Sequence, residues 1–179
     1  MKLDDLLNKK KKAILAQWLD KVQKTYPADT SRFLKNEKDR FQNPVGHTMA
    51  QDLGDVFSAL LDHKPVHDLA PLLEYFIKIR SIQEFTPSQA VGFAFQLKEA
   101  VRDNLREEIE EGRICADLLE FESSLDDMAL LAFENYMNCR EKLFELKTKQ
   151  RQQGPLKMVS RPVLSCRRND EKDRKNGET

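Results

Sequence analysis

The sequence predicts an all-α protein, and three observations lead there. Leucine occurs 23 times against 14 for valine and isoleucine together, a balance that favours helix over strand. Apolar residues recur at spacings of three and four through most of the first 146 positions, as they do in helices buried on one face. Prolines and glycines are few, and several stand where a helix would start or stop, as in Asn43-Pro44, Thr86-Pro87 and Gly112.

The elements follow in order. Leu3 to Thr25 reads as one helix, with Asp4 and Asp5 in its first turn and Leu7, Ile14, Leu15, Trp18, Leu19 and Val22 on one face. Lys9–Lys12 form one turn of lysines on it, read as a solvated face, and Tyr26-Pro27 stops it. A short helix then carries Phe33 and Leu34. Asn43 is a good N-cap and Pro44 fits the first helical position, so a third helix should run through Leu53, Val56, Phe57, Leu60 and Leu61 to His63-Lys64-Pro65. Asp68 to Ile82 gives a fourth. Thr86-Pro87-Ser88 starts a fifth, which the spacing of Ala90, Ala94, Leu97, Val101 and Leu105 carries through in one piece. Acidic Glu107 to Glu111 follows, read as a solvated face, and Gly112 breaks the chain. The last helix is the longest. Leu118, Phe121, Leu125, Met128, Ala132, Tyr136, Cys139, Leu143 and Leu146 repeat close to a heptad. That makes about six helices in a domain of residues 1–150. Residues 151–179 are poor in large apolar groups and read as a basic, disordered tail.

Charge is unevenly spread. The whole chain has 30 basic and 30 acidic side chains. Residues 151–179 hold eight basic and four acidic ones, a net +4, which leaves −4 on residues 1–150. Residues 98–127 alone hold four basic and eleven acidic side chains, a local −7. The acids interleaved in the tail argue against nucleic-acid binding through Arg161, Arg167, Arg168, Arg174 and Lys175. Docking on an acidic surface suits the tail better. No apolar run approaches the roughly 20 residues that cross a bilayer. Lys9–Lys12 precede only Ala13–Ala16 before Gln17, which is no signal peptide. A cytoplasmic protein is expected.

No catalytic motif stands out. The chain lacks a GxSxG elbow, an HExxH pair, a Walker A loop and a GxGxxG turn. Cys115, Cys139 and Cys166 are widely spaced, with no CxxC. His63 and His67 have a metal-pair spacing, but Pro65 between them breaks any helix that would align them. A heme ligand among His47, His63 and His67 would need an apolar helical setting, and His63 and His67 flank a proline turn. No enzyme activity, metal or cofactor is expected.

Two places are candidate ligand sites. At Asn43-Pro44-Val45-Gly46-His47, N–H groups of the first helical turn could hold an anion, with His47 as a titratable donor. The same residues also make an ordinary helix start. Arg80 and Gln83 lie three apart near a helix end, where Arg80 either caps its own helix's carbonyls or receives an anion in a cleft.

The order Ile14-x-x-x-Trp18, Tyr26-Pro27, Phe41-x-Asn43-Pro44-Val45-Gly46, Arg80-x-x-Gln83-x-Phe85-x-Pro87-Ser88-x-Ala90, Phe93 and Leu97-Lys98 resembles the RsbRD-type N-terminal domain of RsbT co-antagonist proteins over about residues 1–150. The resemblance implies an all-helical, globin-like sensor domain without heme that dimerises through its helices. It also implies a stress-signalling setting or, for stand-alone copies, an anaerobic redox setting linked to sulfite reduction. The residues after Gly154 leave no room for the STAS domain of a full-length co-antagonist. The expected function is therefore a non-enzymatic sensory or adaptor module that binds a protein partner, a small ligand, or both. The long last helix suggests a homodimer, with Leu118, Phe121, Leu125, Met128, Tyr136 and Leu143 as interface candidates.

Overall fold

A computed structural model describes residues 2–152 apart from 38, 40 and 84. These residues form eight α-helices and one 3-10 turn, with no strand among them: α1 (Leu3–Gln23), α2 (Ala28–Asn36), α3 (Pro44–Leu61), the turn Val66–Leu69, α4 (Ala70–Ile82), α5 (Pro87–Val91), α6 (Phe93–Asn104), α7 (Arg106–Glu110) and α8 (Cys115–Gln152). The chain divides into two units, Met1–Phe144 and Glu145–Thr179. The described residues of the second unit are helical. No described helix is long and apolar enough to cross a membrane. Arg151 and Gln152, the first residues of the expected tail, are helical, while the rest of it and the arginines and lysine named for it lie outside the described residues.

Local chemistry sets the helix limits. Pro44 opens α3, and the Asn43 side chain accepts from the Gly46 N–H at 2.9 Å. Its end is a Schellman turn: Lys64 N–H bonds Ala59 O at 3.0 Å and His63 N–H bonds Leu60 O at 3.1 Å. His63 takes the left-handed position of that turn, at φ 51°. Thr86 caps α5 in a box with Gln89. Gly112 breaks the chain as expected, in a left-handed conformation at φ 69°.

One expectation fails here. The run from Thr86 to Leu105 is two helices, not one, with the break at Gly92. A Cβ there would come within 3.1 Å of the Ser88 carbonyl. Just past the break, the carbonyl of Phe93 accepts the indole N–H of Trp18 at 2.7 Å. Apolar spacing of three and four passes through such a break unchanged.

The core of the first unit is continuous. Helix α1 packs on α6 and α3, and α3 packs on α4. Trp18 lies in the middle, stacked near Phe93 and edge-on to Phe57. Within this unit the α8 seam is used up by the domain itself. Leu118, Phe121, Leu125, Met128, Ala132 and Tyr136 are all buried in the shared core. The Tyr136 hydroxyl donates to the Phe85 carbonyl. Of the interface candidates, only Leu143 is half-buried. The other five are buried in the core.

The lysine turn is also partly structural. Lys10 donates to the last carbonyl of α6, on Asn104, at 2.7 Å and to Glu108 at 2.8 Å. Lys11 donates to Ser58. Cations suit a helix C-terminus, whose carbonyls lack intrahelical partners. Glu108, read as part of a solvated acidic face, is the anion of that pair.

Candidate functional site

Asn43, Gly46 and His47 come together. They line a cleft of about 310 Å³ with Leu19, Gln23 and Lys35. Its polar groups are already committed. Asn43 is buried, and its amide donates to the carbonyls of Leu34 and Glu37 at 3.2 and 3.0 Å. Its oxygen takes the Gly46 N–H, and the His47 N–H goes to the Asn43 carbonyl at 3.2 Å. The Gly46 and His47 N–H groups of the expected anion site are therefore occupied by Asn43. Gly46 is small for the same reason, since a Cβ would meet the Asn43 amide nitrogen at 2.4 Å. Of these three residues only His47 is exposed.

Arg80 and Gln83 join neither that cleft nor each other. Gln83 is exposed. Arg80 is completely buried and ties three elements together. One guanidinium nitrogen donates to Gln89 O at 2.8 Å, and the other to Thr25 Oγ1 at 3.0 Å and toward Val22 O at 3.5 Å. The cation thus sits at the C-terminal end of α1, where the helix dipole is negative. It does not cap its own helix. The rings of Phe76, Phe85 and Tyr26 surround it at 4.7, 4.8 and 5.4 Å. Burial pushes the Arg80 pKa down and the Tyr26 phenol up. No carboxylate pairs with this guanidinium among the described residues. Carbonyls, a hydroxyl and ring faces balance it instead.

All three histidines are on the surface. His63 lies 3.2 Å from Asp4, and His67 lies 3.2 Å from its neighbour Asp68. Neither the metal pair nor a heme ligand in apolar surroundings finds its histidine here. No cluster of three potential metal-ligating side chains occurs among the described residues.

Three features escaped the sequence reading. A concavity of about 480 Å³ opens where the start of α1, the end of α3 and the start of α8 meet, beside Asp4, His63 and Glu120. Nothing local in sequence joins those segments. Asp52 holds one buried carboxylate oxygen without a hydrogen-bond partner in the described structure. Burial, and then the nearby Asp55 charge, push its pKa up. The third is a row of large apolar side chains on the outside of α8: Leu119, Leu130, Phe133 and Met137, from 44% to 68% exposed. Its signal was present as apolar residues lying off the heptad seam.

The structure defines an all-helical domain whose marked polar residues hold helix ends together, with no assembled catalytic constellation among those described. The family described as the RsbT co-antagonist protein RsbRD N-terminal domain matches residues 12–151. The chain belongs to that family of sensory and regulatory domains. It is also similar to an uncharacterized protein of Archaeoglobus fulgidus, 24% identical over 147 residues that cover 79% of this chain and 85% of the relative. No solved structure matches.

Proposed function

We propose that this chain is a non-enzymatic sensory or adaptor module, globin-like in its helix arrangement, that works by self-association and protein contact. A small ligand bound beside Asn43, Gly46 and His47 would bias that contact. The single observation that carries the reading is the exposed apolar row on α8, in a chain of a regulatory family. Large apolar groups clustered on an otherwise polar surface mark interaction sites. Arg80 serves as a structural cation in this reading, and Gln83 has no part in the site. The setting would be stress or anaerobic redox signalling in the cytoplasm, with no cofactor.

Sedimentation over a concentration series tests the core of the proposal. A dimer at tens of micromolar is the expected result. A monomer throughout, with a flat thermal-shift response to metabolites, would leave the reading without support.

A further inference from the structure

Two buried polar atoms without a hydrogen-bond partner among the described residues belong to side chains that line one cavity: the Tyr26 hydroxyl and Asp52 Oδ2. Tyr26 is only 6% exposed and follows the end of α1. Asp52 is half-buried in the middle of α3. The other walls are Val45 and Met49 of α3 and Tyr75, Phe76 and Ile79 of α4.

The size of the cavity limits what can fill it. It measures about 10 Å³. A void needs roughly 10–15 Å³ of such space to admit one water. An organic ligand does not fit. Left dry, both atoms would lose their hydration and gain no partner in return. Buried polar atoms in native proteins are nearly always met by protein or by ordered water.

The surroundings also set the direction of the bonds. The Arg80 guanidinium lies 5.4 Å from the centre of the Tyr26 ring, and its charge acts on the phenol against the effect of burial. A positive charge beside the phenol oxygen turns the O–H proton away from itself, which leaves that proton to the cavity. An ionised carboxylate can only accept. A water between the two accepts from Tyr26 and donates to Asp52.

We propose that this cavity binds a single water molecule that bridges the Tyr26 hydroxyl and the Asp52 carboxylate. A neutral occupant suits the place better than a cation, because Arg80 already brings a positive charge to Tyr26. The water joins α3 to the segment after α1, next to the contacts that Arg80 makes with Thr25 and Gln89. The walls belong to α3 and α4, so sliding one helix on the other would disturb the water. The inference stands apart from the self-association reading.

A crystal structure of the full chain, at a resolution that shows ordered water, is the direct test. The expected result is one water within about 3.2 Å of both atoms. An empty cavity, a direct Tyr26–Asp52 hydrogen bond, a metal ion in the cavity, or an Asp52 side chain turned out to solvent overturns the proposal. In solution, magnetic relaxation dispersion of the water oxygen counts molecules held inside the protein. Tyr26→Phe should lower that count by one. Asp52→Asn keeps a hydrogen-bonding oxygen and should leave the count unchanged. Circular dichroism checks that both variants fold. An unchanged count in folded Tyr26→Phe, or a loss in folded Asp52→Asn, overturns the bridge. The crystal structure of the natural chain decides the matter even where a variant does not fold.

Discussion

The inward and outward faces of α8 look alike in composition and differ in what they touch. Inward, Leu118 to Tyr136 repeat nearly as a heptad and are buried in their own domain. Outward, Leu130, Phe133 and Met137 make a shorter row with acids beside it. The regular seam suggests a partner, but it serves the core. The irregular row is the one left exposed. Periodicity reports that a face is buried and says nothing about whether the same chain buries it.

The sharpest way to break this contrast is on the inward face. Leu125→Ala should lower unfolding free energy by about 2–5 kcal/mol through lost burial and a cavity. Urea titration would show it, and a loss below about 1 kcal/mol would mean that the seam is not a packed core. Asn43 comes next, as another residue that resembles a site and faces inward. Asn43→Ala removes the cap of α3 and strands two carbonyls, with an expected cost of about 1–3 kcal/mol. If ligand binding changed while stability stayed fixed, Asn43 would belong to a site.

Asp52 gives a smaller effect with a definite pH sign. Its folded pKa is raised above the ordinary 3.8, so the folded state holds the proton more tightly than the unfolded chain. That difference lowers stability as pH rises from 3.8 through the folded value. Asp52→Asn should therefore raise the melting temperature at neutral pH, with the gain fading as pH falls to about 4 and below. A gain of the same size at pH 3 would rule out this cause. The smallest effect belongs to the outward face. Leu130→Ala should change the stability of dilute, monomeric protein by less than about 0.5 kcal/mol. A larger loss would show that the row packs within its own domain.

The legible part of the fold was the part fixed by neighbours in sequence. The Asn43 cap, Pro44, the Thr86-Pro87 start and the Gly112 break are short-range chemistry, and they appear where expected. The break at Gly92 was hidden because the helical spacing of Ala90, Ala94 and Leu97 runs through it. The candidate site was less legible. Arg80 stood out as a cation near a helix end, but the end it serves is that of α1, some 58 residues earlier. Only the packing of both helices on α3 brings them together. Asn43 and Gly46 were recognised as a pair without the reason for it, since the amide that fills the space over Gly46 belongs to Asn43 itself.

The chain has a single tryptophan. Trp18 is fully buried, beside the rings of Phe57 and Phe93, with its indole N–H on the carbonyl just past the Gly92 break. The protein therefore carries its own optical probe. One emission spectrum reports the joint of α1, α3 and α6 without any label. Emission from the folded chain should be blue-shifted and hard to quench with iodide. A signal molecule that moves these three helices would change that spectrum directly.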